Sequence, residues 1–152
     1  MKITFNSIGT IHTPFKIKEG MPIQSKRAIG IKGQVIIKEE LAEGLSDLDG
    51  FSHIILIYYF HKSEGFELKT TPFLDQNKRG VFSTRAPRRP NSIGISIVRL
   101  LSIEGNILNI ENVDMLDGTP LLDIKPYVSY FDIHEVKKNG WIESKKDKLN
   151  EF

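Results

Sequence analysis

The sequence predicts a mainly β fold: one compact β-barrel domain with few short helices and no Rossmann architecture. Three observations predict it. Apolar residues recur with the two-residue period of strands in several short segments. Seven prolines, at 14, 22, 72, 87, 90, 120 and 126, punctuate the whole length, as loops and strand ends allow and helix interiors do not. No long amphipathic helical window is present, and neither is a Gly-x-Gly-x-x-Gly loop.

Taken in order, Ile31, Gly33, Val35 and Ile37 alternate with Lys32, Gln34 and Lys38, the pattern of a half-buried strand. Glu39–Glu43 suits a short helical turn that Gly44 ends. His53–Phe60 is apolar throughout and rich in β-branched and aromatic residues, which predicts a strand covered on both sides. Ile93–Leu101 and Leu108–Val113 are two further strands. Gly105-Asn106 between them tolerates positive φ and predicts a hairpin. The domain is placed at residues 1–136, and 137–152, with Lys145, Lys146 and Lys148, as a charged tail expected to be the mobile end.

Of the 152 residues, 39% are hydrophobic and 26% charged, the balance of a globular chain with one real core. No apolar run nears the roughly 20 residues that span a bilayer, and no signal-peptide stretch follows Met1. There is no cysteine, which excludes disulfides and thiolate metal sites. The expectation is a cytoplasmic protein without membrane attachment. Its net charge of +2 does not by itself announce a nucleic-acid partner, so any basic surface must come from local clustering.

Such clustering is found in Arg85-Ala86-Pro87-Arg88-Arg89-Pro90-Asn91, where two prolines frame three arginines. Guanidinium forks on a stiff loop lose little freedom on gripping a phosphate or carboxylate. The cluster alone also fits a solvated loop. The second unusual segment, Asp114 to Tyr127, contains the turn Asp117-Gly118-Thr119-Pro120. Extended chain beyond it places Asp123, Lys125 and Tyr127 on one face, with Leu122 and Ile124 toward the core. Those three side chains fit a polar site, and Asp123 with Lys125 equally fits an exposed ion pair. No metal is expected. His53 and His61 stand about 26 Å apart if one strand joins them, and His12 and His134 have no ligand pattern around them.

Four ordered blocks then carry a resemblance. Ile8–Phe15, Leu48–His53, Gly80–Gly94 and Asp114–Tyr127 resemble the signatures of the TsaA-like family of tRNA adenosine N6-methyltransferases. The resemblance implies a non-Rossmann β-barrel homodimer that uses S-adenosyl-L-methionine. The acceptor it implies is N6 of threonylcarbamoyl-adenosine beside the anticodon of threonine-accepting tRNA. Carried onto this sequence, the cofactor residues are Gln24, His61, Lys62, Arg85, Ile95, Asp117, Gly118, Thr119 and Pro120. Arg88 and Arg89 are assigned to RNA, and Asp123, Lys125 and Tyr127 to catalysis. Ser92 stands where the family has proline and Ala86 where it has serine, which frees a backbone N–H at Ser92. Longer members carry a carboxy-terminal extension beyond the residues present here. The alternatives are a barrel that binds cofactor or RNA without turnover, and a methyltransferase for another acceptor.

Overall fold

In the computed structural model, which describes residues 1–149 apart from the Ser25 side chain, eight strands form. They are β1 (Gly9–His12), β2 (Lys32–Ile37), β3 (His53–Tyr59), β4 (Lys69–Thr70), β5 (Arg79–Gly80), β6 (Ile93–Glu104), β7 (Ile107–Glu111) and β8 (Thr119–Pro126). Six of them close a barrel in the order β1-β2-β7-β6-β3-β8, with β8 returning to β1; β4 and β5 pair separately. Every neighbouring pair is antiparallel. Closure leaves the barrel no unpaired edge.

The period-two pattern sorts side chains between interior and exterior. On β6 it is strict from Ile93 to Leu101: Gly94, Ser96, Val98 and Leu100 face in, while Ile93, Ile95 and Ile97 face out, and a register shift against β7 breaks it at Leu101–Ser102. On β3, Ile54, Leu56 and Tyr58 are buried, but Ile55 and Ile57 are only half-buried and Tyr59 is exposed. Among the described residues the expected second cover over β3 is therefore incomplete, and its apolar outer face is a partly exposed surface. Ile11, Val35, Ile54, Leu56, Val98, Leu108, Ile110, Val113 and Leu121 are completely shielded and form the core.

Gly105 adopts φ 63° in the predicted hairpin, and the Asn106 side chain donates to the Ile37 carbonyl at 2.7 Å. The turn after Lys38 is 3-10 helical and runs through Gly44 to Leu45 instead of ending at the glycine. On β8 the register with β3 shifts: Ile57 faces Asp123, and Tyr58 faces Leu121. Leu122 is the extra residue of this bulge. Leu121 and Ile124, not Leu122 and Ile124, pack inward, because one inserted residue breaks the alternation.

After β8 come one helical turn, α1 (Ser129–Asp132), and a 3-10 segment, Gly140–Lys145, that leads into α2 (Lys146–Leu149). Where a charged tail is expected, the Trp141 indole N–H donates to the Ser83 carbonyl at 2.8 Å, and the Arg79 guanidinium lies 5.7 Å from its ring centre. Lys145 reaches the buried Asp75 carboxylate at 3.5 Å. This end of the chain is thus tied to the loops before β6 up to residue 149; 150–152 lie outside the described residues. Among the described residues no helix is long and apolar enough to cross a membrane.

Antiparallel closure has one consequence for position. β1, β3 and β7 end, and β2, β6 and β8 begin, at the same rim of the barrel. That rim gathers the three long connections 13–31, 60–92 and 112–118. The opposite rim holds 38–52, the Gly105-Asn106 turn and the residues just after Pro126, before the chain returns to the 60–92 connection at Trp141 and Lys145.

Candidate functional site

The turn at 117–118 is held from two sides. Gly118 takes φ 81°, which glycine adopts without steric cost, and its N–H donates to the Ile11 carbonyl at 2.9 Å. The Asp117 carboxylate accepts from the Lys16 ammonium, from the Thr13 N–H at 3.0 Å and from His12 Nδ1 at 3.2 Å. Lys16 first, then the Thr13 amide, hold the carboxyl below its ordinary value, at about 2. Asp117 therefore ties the start of the 13–31 connection to the turn that opens β8.

The connection 60–92, which carries the arginine loop, meets both others. Arg85 Nη1 donates to Gln24 Oε1 at 3.2 Å, joining residues 61 positions apart. The 3-10 turn Ser25–Arg27 that follows Gln24 packs beside β6, the strand that carries Ile95. The Phe60 N–H donates to the Ser92 carbonyl at 2.9 Å, which fixes the chain just before His61. His61 Nε2 lies 4.0 Å from the position a Cβ on Gly118 would occupy. A side chain at 118 would point at the imidazole, so the glycine keeps that approach open. Burial, and then the neighbouring Lys62 charge, hold His61 below its ordinary value, and the imidazole is neutral at pH 7.

Beneath the rim runs a buried polar chain. Ser96 Oγ donates to Asp114 Oδ1 at 2.6 Å, and the Tyr58 hydroxyl lies 2.8 Å from Ser96 Oγ. A hydroxyl has one proton, and that of Ser96 is committed to the carboxylate. Tyr58 is therefore the donor to Ser96, and the chain has one direction. Burial and the Asp114 charge both hold the phenol well above its ordinary value, in keeping with that role. The Tyr58 and Phe60 rings meet edge-to-face, 5.4 Å apart, over Gly94.

The structure thus brings Gln24, His61, Lys62, Arg85 and Asp117–Pro120 to one rim, with Ile95 on the outer wall just below it. Arg88 is exposed at the same rim and donates from Nε to the Glu64 carbonyl at 3.2 Å. Arg89 is half-buried, and its Nη1 donates to the carbonyls of Thr84 and Ala86 at 2.9 and 3.3 Å. Its fork braces the loop from within. The Ser92 hydroxyl adds a long contact to the Arg89 carbonyl, 3.5 Å, and the Ala86 N–H is taken by Thr84 Oγ1 at 3.3 Å.

The three residues assigned to catalysis are not gathered with the rest. Asp123 and Lys125 pair with each other at 2.9 Å on the barrel exterior. Tyr127 sits beside His53, ring centres 6.4 Å apart, at the opposite rim. Seven residues of β3 separate that rim from His61, because β8 runs away from the site as it leaves the turn. Among the described residues no three His, Asp or Glu side chains gather as a metal site. The buried Tyr58–Ser96–Asp114 chain escapes sequence reasoning, since a Tyr and a Ser 38 residues apart carry no local signal.

A closed antiparallel barrel whose candidate ligand-binding groups gather at one rim, on its connections and the adjoining ends of β6 and β8, is a non-Rossmann binding scaffold. Residues 10–133 match the tRNA-methyltransferase O N-terminal domain, and the chain belongs to this family. A Pyrococcus abyssi protein named as a probable S-adenosyl-L-methionine-binding protein is 52% identical over 98% of this chain and 81% of its own length. A mouse tRNA (adenine(37)-N6)-methyltransferase is 38% identical over 82% of this chain, which corresponds to 31% of the mouse protein. The crystal structure of TrmO from Pseudomonas aeruginosa superposes with a TM-score of 0.78 at 36% identity, covering 93% of this chain and 63% of that one. The chain thus spans about a third of the mouse enzyme and under two thirds of the bacterial structure.

Proposed function

We propose that this protein transfers a methyl group from S-adenosyl-L-methionine to N6 of an adenosine beside the tRNA anticodon. The acceptor in this reading is the threonylcarbamoyl-adenosine of threonine-accepting tRNA, modified in the cytoplasm. Family membership supports the reaction. The observation that carries the site is the meeting of three chain-distant loops at one rim, tied by Arg85 to Gln24 and by the approach of His61 to Gly118.

The residues present fit the cofactor. Its methionine end offers a carboxylate, which suits a guanidinium, and Arg85 is exposed with only one described hydrogen bond. Gln24 adds an amide that both donates and accepts. The turn Asp117–Pro120 contributes backbone, with the Gly118 Cα bare toward His61. A neutral His61 adds no positive charge beside a sulfonium. Lys62 and Ile95 border the same space. When bound, S-adenosyl-L-methionine supplies an electrophilic methyl whose sulfur leaves with the bonding pair.

The protein's part in such a displacement is chiefly to align nitrogen, carbon and sulfur. Asp117 does so indirectly: its carboxylate is occupied by Lys16, Thr13 and His12, so it fixes the turn and leaves the backbone to meet the ligand. The carbamoyl group on N6 acidifies its proton, so a modest acceptor suffices to receive it. Arg88 contacts RNA phosphate, and Arg89 keeps the loop in shape for that contact. Asp123, Lys125 and Tyr127 take no part within one subunit.

A homodimer completes the reading. Ile93, Ile95 and Ile97 line the outer face of β6 with exposures of 40%, 50% and 40%, beside exposed Tyr59 on β3. An apolar row of this kind on a closed barrel suits a second copy, which would then lie next to Ile95 of the cofactor site. Light scattering of wild type and Ile97→Lys tests it.

The deciding experiment supplies labelled S-adenosyl-L-methionine and two tRNA pools, with and without threonylcarbamoyl-adenosine, followed by nucleoside mass spectrometry. Label in the modified adenosine of the first pool alone is the expected result. Cofactor binding without S-adenosylhomocysteine in either pool would replace the transferase by the binding barrel that the Pyrococcus relative's name describes.

A further inference from the structure

Between Asp75 and Glu104 the chain has no acidic residue and six basic ones: Lys78, Arg79, Arg85, Arg88, Arg89 and Arg99. On a protein of net charge +2 this is a local asymmetry. Arg79 and Arg99 pair with Asp75 and Glu111 and Arg89 braces the loop, so exposed Lys78, Arg85 and Arg88 are its cations at the site rim. Most of the stretch, 76–92, belongs to the long connection at the site rim. In its middle the one-turn 3-10 helix Val81–Ser83 holds Phe82 with its side chain outward, 77% exposed.

The turn beneath that ring is fixed at many points. Val81 is buried, and its N–H donates to the Leu68 carbonyl at 2.9 Å. Buried Thr84 donates from both N–H and Oγ1 to the Val81 carbonyl. Ser83 Oγ donates to the Gly80 carbonyl at 2.7 Å, and the Ser83 carbonyl accepts the Trp141 indole. An aromatic ring gains by burial. Here rigid backbone on both sides presents it to water instead. Arg85 follows three residues later, at most about 11 Å away along the chain. Arg88 reaches back to the 64–65 backbone, Nη2 standing 4.0 Å from the Cβ position of Gly65, next to a second exposed ring, Phe66.

We propose that Phe82 is a stacking platform for an unpaired base of the RNA, with Phe66 as a flanking ring and Arg88 holding phosphate between them. Exposed rings among cations are the chemistry that recognises single-stranded nucleic acid: every base has a π face, and the cations track the backbone. The charge asymmetry selects RNA over an apolar protein partner. This inference rests on the tRNA reading above and adds the residue that distinguishes an open loop from a duplex.

The test is fluorescence anisotropy of a labelled anticodon stem–loop, and of the same strand closed into a full duplex, over a range of salt. Wild type is expected to prefer the stem–loop. Phe82→Ala should weaken that binding about tenfold, and Phe82→Trp should keep it. Stacking releases no counterions, so the Phe82→Ala salt slope stays that of wild type, whereas Arg88→Ala lowers the slope by about 1. Cofactor affinity, melting temperature and mass by light scattering stay unchanged in Phe82→Ala. Unaltered RNA affinity in Phe82→Ala, equal loss in Phe82→Trp, or equal binding of duplex and loop would overturn the proposal. So would a change of mass, which would make Phe82 a contact between copies. If wild type methylates tRNA while Phe82→Ala is indistinguishable from it, the stacking role fails alone; if wild type neither binds nor methylates RNA, the tRNA reading fails with it.

Discussion

Strands β3 and β6 and the connection between them are continuous in sequence and opposite in physical design. Inside the barrel, the polar groups of the two strands are buried and satisfy one another, Tyr58 through Ser96 to Asp114. In the connection 60–92, Arg85 and Arg88 are exposed cations, held on a backbone that buried Thr84 and half-buried Arg89 brace. In low dielectric an unmet polar group costs more than a met one gains, so the interior tolerates no change. In water, unmet donors cost little and are available to a ligand. Stability should therefore respond to substitutions in the first region, and ligand affinity to those in the second.

The largest effect is expected at Gly94, where the comparison is sharpest because the residue belongs to the same sequence block as the arginines. A Cβ there would stand 2.4 Å from Tyr58 Cε2 and 2.7 Å from Phe60 Cζ. Tyr58 cannot swing aside without breaking its hydrogen bond to Ser96. Gly94→Ala should cost about 3 kcal/mol as overpacking, read from urea unfolding. A loss below about 1 kcal/mol would show that the rings move freely, and the interior would lose its claim to be the rigid partner.

Next is Ser96→Ala. It removes the only described acceptor of the Tyr58 hydroxyl and one donor to Asp114, in a site the alanine leaves dry. The expected loss is about 2 kcal/mol. Tyr58→Phe should cost less, because Ser96 keeps its bond to the carboxylate. The reverse order would mean that the Tyr58 hydroxyl has a further partner that Ser96→Ala leaves in place.

Legibility followed the same division. Period two in Ile93–Leu101 and Leu108–Val113, with Gly105-Asn106 between them, was enough to place β6, β7 and their hairpin, because burial on one face imposes alternation directly on the residues. The same reasoning failed at Leu122, where a bulge shifts the face, and on β3, whose outer residues are apolar without being fully covered. Family signatures located the rim residues, but not what holds them. Lys16 and His12 lie about a hundred residues from Asp117, and no local pattern announces such a pairing. Trp141 was hidden in a segment whose composition resembles a free tail, although one indole and one lysine dock it. Phe82 carries no signal of its own in the sequence, because an aromatic residue between Val81 and Ser83 looks like core until its exposure is known.

The smallest effect belongs to the rim, at the ion pair that anchors the site. Asp117 ionises at about 2, below its ordinary 3.8, so the folded state favours the carboxylate. A depressed value stabilises the fold fully above the ordinary carboxylate range, and that contribution is lost as pH falls from about 4 to about 2. Lys16, the leading cause, is itself 73% exposed, and solvent screens its charge. Lys16→Ala should therefore cost under about 1 kcal/mol at neutral pH and flatten the acid limb of unfolding in that window, with added salt moving wild type toward the variant. A loss comparable with that of Ser96→Ala would mean that rim charges carry the fold as the buried chain does, and the contrast between the two regions would collapse.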